Sequence, residues 1–288
     1  MSIEIIDEAF QRLLAQDSAV RLIADGFQFA EGPTWVENGQ FLLFSDIPAD
    51  TIFRWSADRG VEIWRRPSRH ANGNTVDREG RVVTCEHRSR SLTRTENDGA
   101  VTTLASTYHG RKLNSPNDVV VKRDGSIWFT DPPYGIKSEQ AEQPANYVFR
   151  LDPGAPEPVP VADDFSRPNG LCFSPDEHFL YIADSDHETH HLRRFEVRPD
   201  GYLDGGDVFA TINPGIPDGI RTDRTGRLYS AAGDGVHVFS PDGELLGKFR
   251  TPQTASNCAF GGQAHSTLFI TAVSSLWAVD LNPSINQP

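Results

Sequence analysis

Short apolar runs recur along the chain, and the same pattern of polar and turn residues precedes each of them. A polar residue is followed eight positions later by glycine or another turn residue, and then by a run rich in β-branched and aromatic side chains. The six polar residues, or anchors, are Glu31, Asn72, Asn117, Asn169, Asp218 and Asn257. Successive anchors stand 39 to 52 residues apart. A repeat of this length is typical of β-propellers, in which each unit forms one blade.

Each unit also holds a third and a fourth alternating segment, which predicts four strands per blade and a six-bladed, all-β propeller. The last unit lacks its fourth strand. Residues 19–25 (AVRLIAD) match the apolar positions of the fourth strand AVTTLAS, so we expect this N-terminal strand to close the last blade.

The residues before this strand show a helical spacing of apolar positions. Over residues 3–16 a single helical face carries Ile6, Ala9, Phe10, Leu13 and Leu14. The sequence therefore predicts an N-terminal helical segment, residues 1–18, packed outside a propeller domain, residues 19–288.

Composition restricts the partners of the chain. Its 288 residues include 27 basic and 40 acidic ones, a net charge of −13, which disfavours nucleic acid and anionic membranes as partners. The N-terminus lacks the basic and apolar regions of a signal peptide. Cys85, Cys172 and Cys258 are isolated, as expected for small buried residues in a reducing compartment. We therefore expect a cytoplasmic protein. The sequence leaves its oligomeric state open.

The anchors carry the candidate chemistry. The first strand of each propeller blade lines the central tunnel, so six equivalent side chains point toward one axis, and all six bear oxygen. Asn-Gly and Asp-Gly also favour turns, but turn chemistry does not require Glu31. Two converging carboxylates are costly in a secluded tunnel unless a cation joins them. Carboxylate and amide oxygens suit Ca²⁺ or Mg²⁺, whereas Zn²⁺ usually takes His or Cys.

Six motifs resemble the senescence marker protein/gluconolactonase (regucalcin-like) family, and its bacterial gluconolactonase branch in particular. They are FAEGPTW, HANGNTVD, LNSPNDVVV, WFTDPPYG, RPNGLCFSPD and PDGIRTD, and the resemblance runs from about residue 20 to 280. It implies a six-bladed propeller with one catalytic divalent cation near the tunnel centre, Ca²⁺ being favoured over Mg²⁺, Mn²⁺ or Zn²⁺.

The resemblance also assigns site residues. It places the metal on Glu31, Asn169 and Asp218, with Asn117 as a fourth polar position that either ligates the metal or contacts substrate. The animal branch has a sugar-binding arginine where this chain has Ser115. The substrate specificity of that branch therefore does not transfer.

The implied reaction is metal-dependent hydrolysis of a small sugar lactone, D-glucono-1,5-lactone to gluconate. Glu31 and Asp218 are the candidate catalytic residues, and Asp218 could orient or deprotonate the attacking water. Asn117 and Asn72 are expected to contact substrate. For Asn74, His87 and Tyr134, together with His70 and Asp131, the interpretation stays open between substrate contact and support of neighbouring residues.

Two other functions remain open on the sequence. A phosphotriesterase or fluorophosphatase would use the same kind of metal ring, and a non-enzymatic binding propeller would need none. Asp46 and Asp184 end equivalent second strands and are expected to cap turns. The segment 187–191 matches the zinc-protease pattern H-E-x-x-H, but it lies between two strands rather than on a helix, so we expect a solvated loop.

Overall fold

A computed structural model describes residues 2–285 as a ring of six antiparallel sheets. The strands of each blade are named from the innermost to the outermost. Blade 1 contains Ala30–Val36, Phe41–Asp46, Thr51–Ser56 and Gly60–Arg65. Blade 2 contains Ala71–Val76, Val82–Glu86, Ser91–Thr95 and Val101–Ala105. Blade 3 contains Val119–Val121, Ile127–Asp131, Tyr147–Leu151 and Val159–Ala162.

The second half of the ring repeats this order. Blade 4 contains Pro168–Phe173, Phe179–Asp184, His191–Val197 and Leu203–Thr211. Blade 5 contains Ile220–Thr222, Leu228–Ala232, Gly235–Phe239 and Leu245–Arg250. Blade 6 contains Asn257–Gly261, Thr267–Ala272 and Ser275–Asp280, with Arg21–Asp25 as its outer strand. The predicted six-bladed propeller is therefore confirmed.

The chain closes its ring through the N-terminal strand. Arg21–Asp25 pairs antiparallel with Ser275–Asp280, and Arg21 forms an ion pair with Asp280 at 3.2 Å (Nη2 to Oδ1). The inner strand of blade 6 also contacts that of blade 1. This arrangement covers a sheet edge that would otherwise lie exposed, and it confirms the predicted closure.

The predicted helix over residues 3–16 is wrong in extent. Only Glu8–Gln11 is helical, after Asp7, whose Oδ1 accepts a hydrogen bond from the Ala9 N–H at 2.7 Å. Ile3–Ile5 instead forms a strand on the outer edge of blade 5. The open edge of that blade offers backbone partners that an isolated short helix lacks, and β-branched isoleucines suit a strand.

The apolar core lies mainly between neighbouring blades. Trp35 of blade 1 stacks on Phe269 of blade 6, with ring centroids 5.8 Å apart. The three cysteines are free and buried, as predicted, and burial raises the pKa of each thiol.

Two further segments bear on the sequence predictions. Residues 187–189 form a turn between two strands of blade 4, and His191 begins the second of these strands, so the H-E-x-x-H match is not helical, as expected. A small hairpin, Thr107–Tyr108 with Arg111–Lys112, lies between blades 2 and 3. Within residues 2–285, no helix is both long and apolar enough for a membrane span.

Candidate active site

Each of the six anchors lies within two residues of the start of its inner strand. Five of them are buried, whereas Asp218 keeps partial exposure. Because each inner strand starts at the same mouth of the tunnel, the anchors form one ring across sequence separations of more than 200 residues. The repeat register alone therefore brings the oxygen-bearing side chains together.

Glycines behind the anchors let neighbouring inner strands approach closely. A Cβ at Gly32 would overlap the carbonyl of Asn72, and one at Gly170 would overlap the carbonyl of Asp218. Gly32 has a φ of +53°, whereas Gly170 has no positive φ, so close packing rather than turn geometry accounts for glycine at the latter position. The glycine that follows Glu31 and the one that follows Asn169 thus allow the backbones of neighbouring inner strands to lie close together around the ring.

A cavity of about 270 Å³ opens above the ring. It brings together most of the site residues predicted from sequence. Its lining includes Glu31, Asn72, His87, Asn117, Tyr134, Asn169 and Asp218. All four predicted metal ligands are in this set, so the structure places them around one small volume.

Sequence reasoning missed five lining residues: Phe29, Ile47, Arg167, Ser185 and Ile216. Three of them, Phe29, Arg167 and Ile216, stand two positions before an anchor. In extended chain, residues two apart share one face. These three cavity-wall residues could therefore have been predicted from the sequence, by taking the position two residues before an anchor.

Hydrogen bonds link the asparagine anchors. Asn72 donates from Nδ2 to Asn117 Oδ1 at 2.5 Å, and Asn117 donates from Nδ2 to Asn169 Oδ1 at 2.7 Å. His87 Nε2 lies 3.3 Å from both Asn72 Nδ2 and Asn117 Oδ1. Burial lowers the pKa of His87 to about 4, so its imidazole is neutral near pH 7, and Nε2 either accepts from Asn72 Nδ2 or donates to Asn117 Oδ1, depending on the tautomer.

The two carboxylates of the ring oppose each other electrostatically. Burial raises the pKa of Glu31 to about 7, although hydrogen bonds from the Gly32 N–H (2.6 Å) and Asn257 Nδ2 (3.2 Å) to Oε2 favour its charged form. Burial, the charge of Glu31 and that of Asp118 raise the pKa of Asp218. A cation between the carboxylates would remove this repulsion.

The donor set fits a hard divalent cation. Two carboxylates and the amide oxygens of Asn117 and Asn169 are ligands of the type that Ca²⁺ prefers. Across residues 2–285, no three His, Cys, Asp or Glu side chains are placed to hold a metal together.

Asn74 does not reach the cavity. Its Nδ2 donates to the carbonyls of Gly32 and Asn72 and to Ser45 Oγ, at 2.8–3.0 Å, and its Oδ1 accepts from Thr84 Oγ1 at 2.9 Å. Every polar group of the side chain is thus occupied within the wall. Asn74 holds the backbone behind Asn72 and Gly32 rather than facing a ligand.

The aspartates at the ends of the second strands cap the loops that lead into inner strands. Asp131 accepts from the N–H groups of Asn114 (2.7 Å) and Ser115 (2.8 Å). Asp46 and Asp184 do the same in blades 1 and 4, each accepting two backbone N–H groups from the loop that precedes the inner strand. The expected capping of Asp46 and Asp184 is confirmed. The same geometry makes Asp131 a support for the Asn117 loop.

Tyr134 forms part of the cavity wall with Arg167. The Arg167 guanidinium lies 5.3 Å from the tyrosine ring centroid, and the hydroxyl donates to the Arg167 carbonyl at 3.3 Å. Burial and the charge of Asp218 raise the pKa of the Tyr134 hydroxyl, so it remains protonated near neutral pH. This pair presents one phenol and one guanidinium beside the anchors.

These features match a known family. A sequence model of the SMP-30/gluconolactonase/LRE-like region matches residues 29–274. The chain belongs to this family. A gluconolactonase of Zymomonas mobilis is 34% identical over 291 residues, covering 90% of this chain and 80% of that protein. A solved gluconolactonase from Xanthomonas campestris is 40% identical, with a TM-score of 0.93 over 98% of this chain and 95% of that one.

The family assignment agrees with the resemblance seen in the sequence motifs. It identifies the chain as a lactone hydrolase, an enzyme that opens cyclic esters with water. The cavity over the anchor ring is the candidate active site.

Proposed function

We propose that the chain hydrolyses D-glucono-1,5-lactone to gluconate, using a divalent cation held by Glu31, Asn117, Asn169 and Asp218. One observation carries the proposal. The carboxylates of Glu31 and Asp218, both with raised pKa values, line one small cavity together with the side-chain amides of two hydrogen-bonded asparagines, Asn117 and Asn169. Ca²⁺ is the cation that this oxygen-only donor set favours. When bound, such a cation polarises an ester carbonyl and makes a water ligand more acidic.

The contacts and exposure of each side chain suggest its role in the reaction. Glu31 is fixed by the Gly32 N–H and Asn257, which suits a carboxylate that holds a cation. Asp218 retains exposure to the cavity, so its carboxylate is the candidate to orient the attacking water and accept its proton. Asn72, His87, Tyr134 and Arg167 supply hydrogen-bonding groups for the sugar hydroxyls.

The proposal is tested by initial rates of D-glucono-1,5-lactone hydrolysis, corrected for spontaneous hydrolysis in buffer. The protein is assayed after chelation and after addition of Ca²⁺, Mg²⁺, Mn²⁺ or Zn²⁺. We expect chelation to remove the enzymatic rate and Ca²⁺ to restore it. Full activity in the chelated protein would contradict the metal requirement.

A parallel assay with diethyl p-nitrophenyl phosphate separates the alternatives. A larger kcat/KM for this phosphotriester than for the lactone would favour a phosphotriesterase. If neither substrate is turned over with any cation, D-glucono-1,5-lactone is not the substrate, and the proposed function fails. The proposed function requires the lactone to be the better substrate.

A further inference from the structure

A second cavity, of about 490 Å³, adjoins the candidate active site. The two cavities share Ile47, His87 and Tyr134 in their walls. The other lining residues of the second cavity are His70, Arg88, Arg90, Gly135, Ile136 and Gln140. They come mainly from loops that join the second and third strands of blades 2 and 3. Both cavities therefore open at the same mouth of the propeller.

The walls of the second cavity are basic. Arg88 and Arg90 line it, and none of its described lining residues is acidic, although the whole chain has a net charge of −13. Arg88 and Arg90 each form one ion pair, with Asp50 Oδ2 3.3 Å from Arg88 Nη1 and Glu142 Oε1 3.3 Å from Arg90 Nη1. Each carboxylate engages only one nitrogen of its arginine. The charge of Arg90 also acts on the buried Asp131, a carboxyl whose pKa burial raises and this charge lowers.

Arg90 is held rigidly and has a free donor. Its Nε donates to the carbonyls of Leu113 (2.6 Å) and Asn114 (3.1 Å), while its Nη2 is buried and has no hydrogen-bond partner among the described residues. A buried N–H without an acceptor is costly, and a guanidinium pairs best with a planar or tetrahedral anion. Arg88, with 61% of its side chain exposed, has further nitrogens available for the same ligand.

From this arrangement we propose that the second cavity is a subsite for an anionic substituent of the lactone substrate. The inference rests on the proposed function. With the lactone carbonyl over the anchor ring, the far end of the sugar passes between His87 and Tyr134. A carboxylate, phosphate or sulfonate there would meet Arg88 and Arg90. These arginines thus make the enzyme prefer an acidic sugar lactone to a neutral one.

The experiment compares kcat/KM for 6-phospho-D-glucono-1,5-lactone and D-glucono-1,5-lactone with the cation-loaded enzyme. We expect the wild type to prefer the phosphorylated lactone. Arg88→Gln should lower this preference about tenfold through KM, and Arg88→Lys should retain part of it. The matched control is Arg59→Gln. This arginine has 62% exposure and lies in the turn between the third and fourth strands of blade 1, at the opposite end of the blade.

A lactone of D-glucaric acid forms a second arm and distinguishes a carboxylate subsite from a phosphate subsite. If the neutral lactone is hydrolysed but neither acidic lactone is preferred, the subsite is disproved while the proposed function stands. If no lactone is hydrolysed, the proposed function fails. Calorimetric binding of 6-phosphogluconate against gluconate then decides the subsite, since equal affinities, or affinities unaffected by Arg88→Gln, would overturn it.

Discussion

Arg221 pairs with Asp118 inside the tunnel, with 3.5 Å between Nη1 and Oδ2. Asp118 directly follows the anchor Asn117, and Arg221 lies three residues after the anchor Asp218 on the inner strand of blade 5, so the pair lies deeper than the ring. The charge of Asp118 raises the pKa values of Glu31 and Asp218, and the charge of Arg221 lowers that of Glu31. Arg221 therefore acts as a built-in counter-cation that offsets a third carboxylate below the candidate metal site.

Because the two side chains pair, we expect the effects of substituting Arg221 and Asp118 on the free energy of unfolding to be strongly non-additive. Arg221→Met leaves the buried Asp118 carboxylate without its partner and should lower the free energy of unfolding by about 3 kcal/mol. Adding Asp118→Asn to the same chain should recover most of the loss, because the uncompensated charge is gone. Urea unfolding of the chelated single and double variants measures the coupling. Additive effects would show that the two groups do not stabilise each other.

The metal-free protein should lose stability as the pH rises. Folding raises the pKa of Glu31 from 4.5 to about 7, so the folded chain keeps a proton that the unfolded chain has released. The contribution of protonated Glu31 to the free energy of unfolding is therefore fully present below about pH 4.5 and is lost as the pH rises to about 7. The raised pKa of Asp218 changes the free energy of unfolding in the same direction.

Thermal unfolding of the chelated protein between about pH 5 and pH 8 checks this expectation. The wild type should show a larger fall in Tm than Glu31→Gln, whose side chain does not titrate, and saturating Ca²⁺ should raise the wild-type Tm most at the high end. Parallel Tm curves for the two chelated proteins would contradict the assignment.

The N-terminal segment is expected to stabilise the propeller without affecting catalysis. Phe10 is fully buried, with its ring centroid 5.0 Å from that of Phe249 in the outer strand of blade 5. Phe10→Ala should lower the free energy of unfolding by about 3 kcal/mol. The value of kcat/KM, measured well below the unfolding temperature, should not change. Ala9→Ser, which alters the neighbouring helix residue only slightly, is the control; a loss of kcat/KM in Phe10→Ala alone would link this segment to the site.

The sequence predicted the ring of anchors because a propeller repeats one register six times. Residues such as Glu31 and Asp218 could be placed together without knowing any distance between them. The strand Ile3–Ile5 could not be predicted in this way, because its partner edge belongs to blade 5, and its local apolar spacing equally suited a helix. The position of a residue within the repeat predicted its place in the ring, whereas the apolar spacing at the N-terminus did not predict the secondary structure there.

The direction of single side chains was also beyond the sequence. Asn72 and Asn74 are two residues apart on one strand, yet only Asn72 lines the cavity, because a register shift between Ala71 and Asn74 breaks the alternation of the strand and Asn74 donates to the Gly32 carbonyl instead. The basic second cavity depends on Arg90 contacting carbonyls 23 and 24 positions later in the chain. Such contacts between loops carry no repeat pattern.

The proposed function requires Glu31 and Asp218 to hold a divalent cation in the tunnel. Calorimetric titration of the chelated protein with Ca²⁺ tests it most directly. We expect one binding site per wild-type chain, retained in the exposed-carboxylate control Glu79→Gln and lost in both Glu31→Gln and Asp218→Asn, with unchanged circular dichroism. Absence of binding in the wild type, or wild-type affinity in Glu31→Gln and Asp218→Asn, would contradict it.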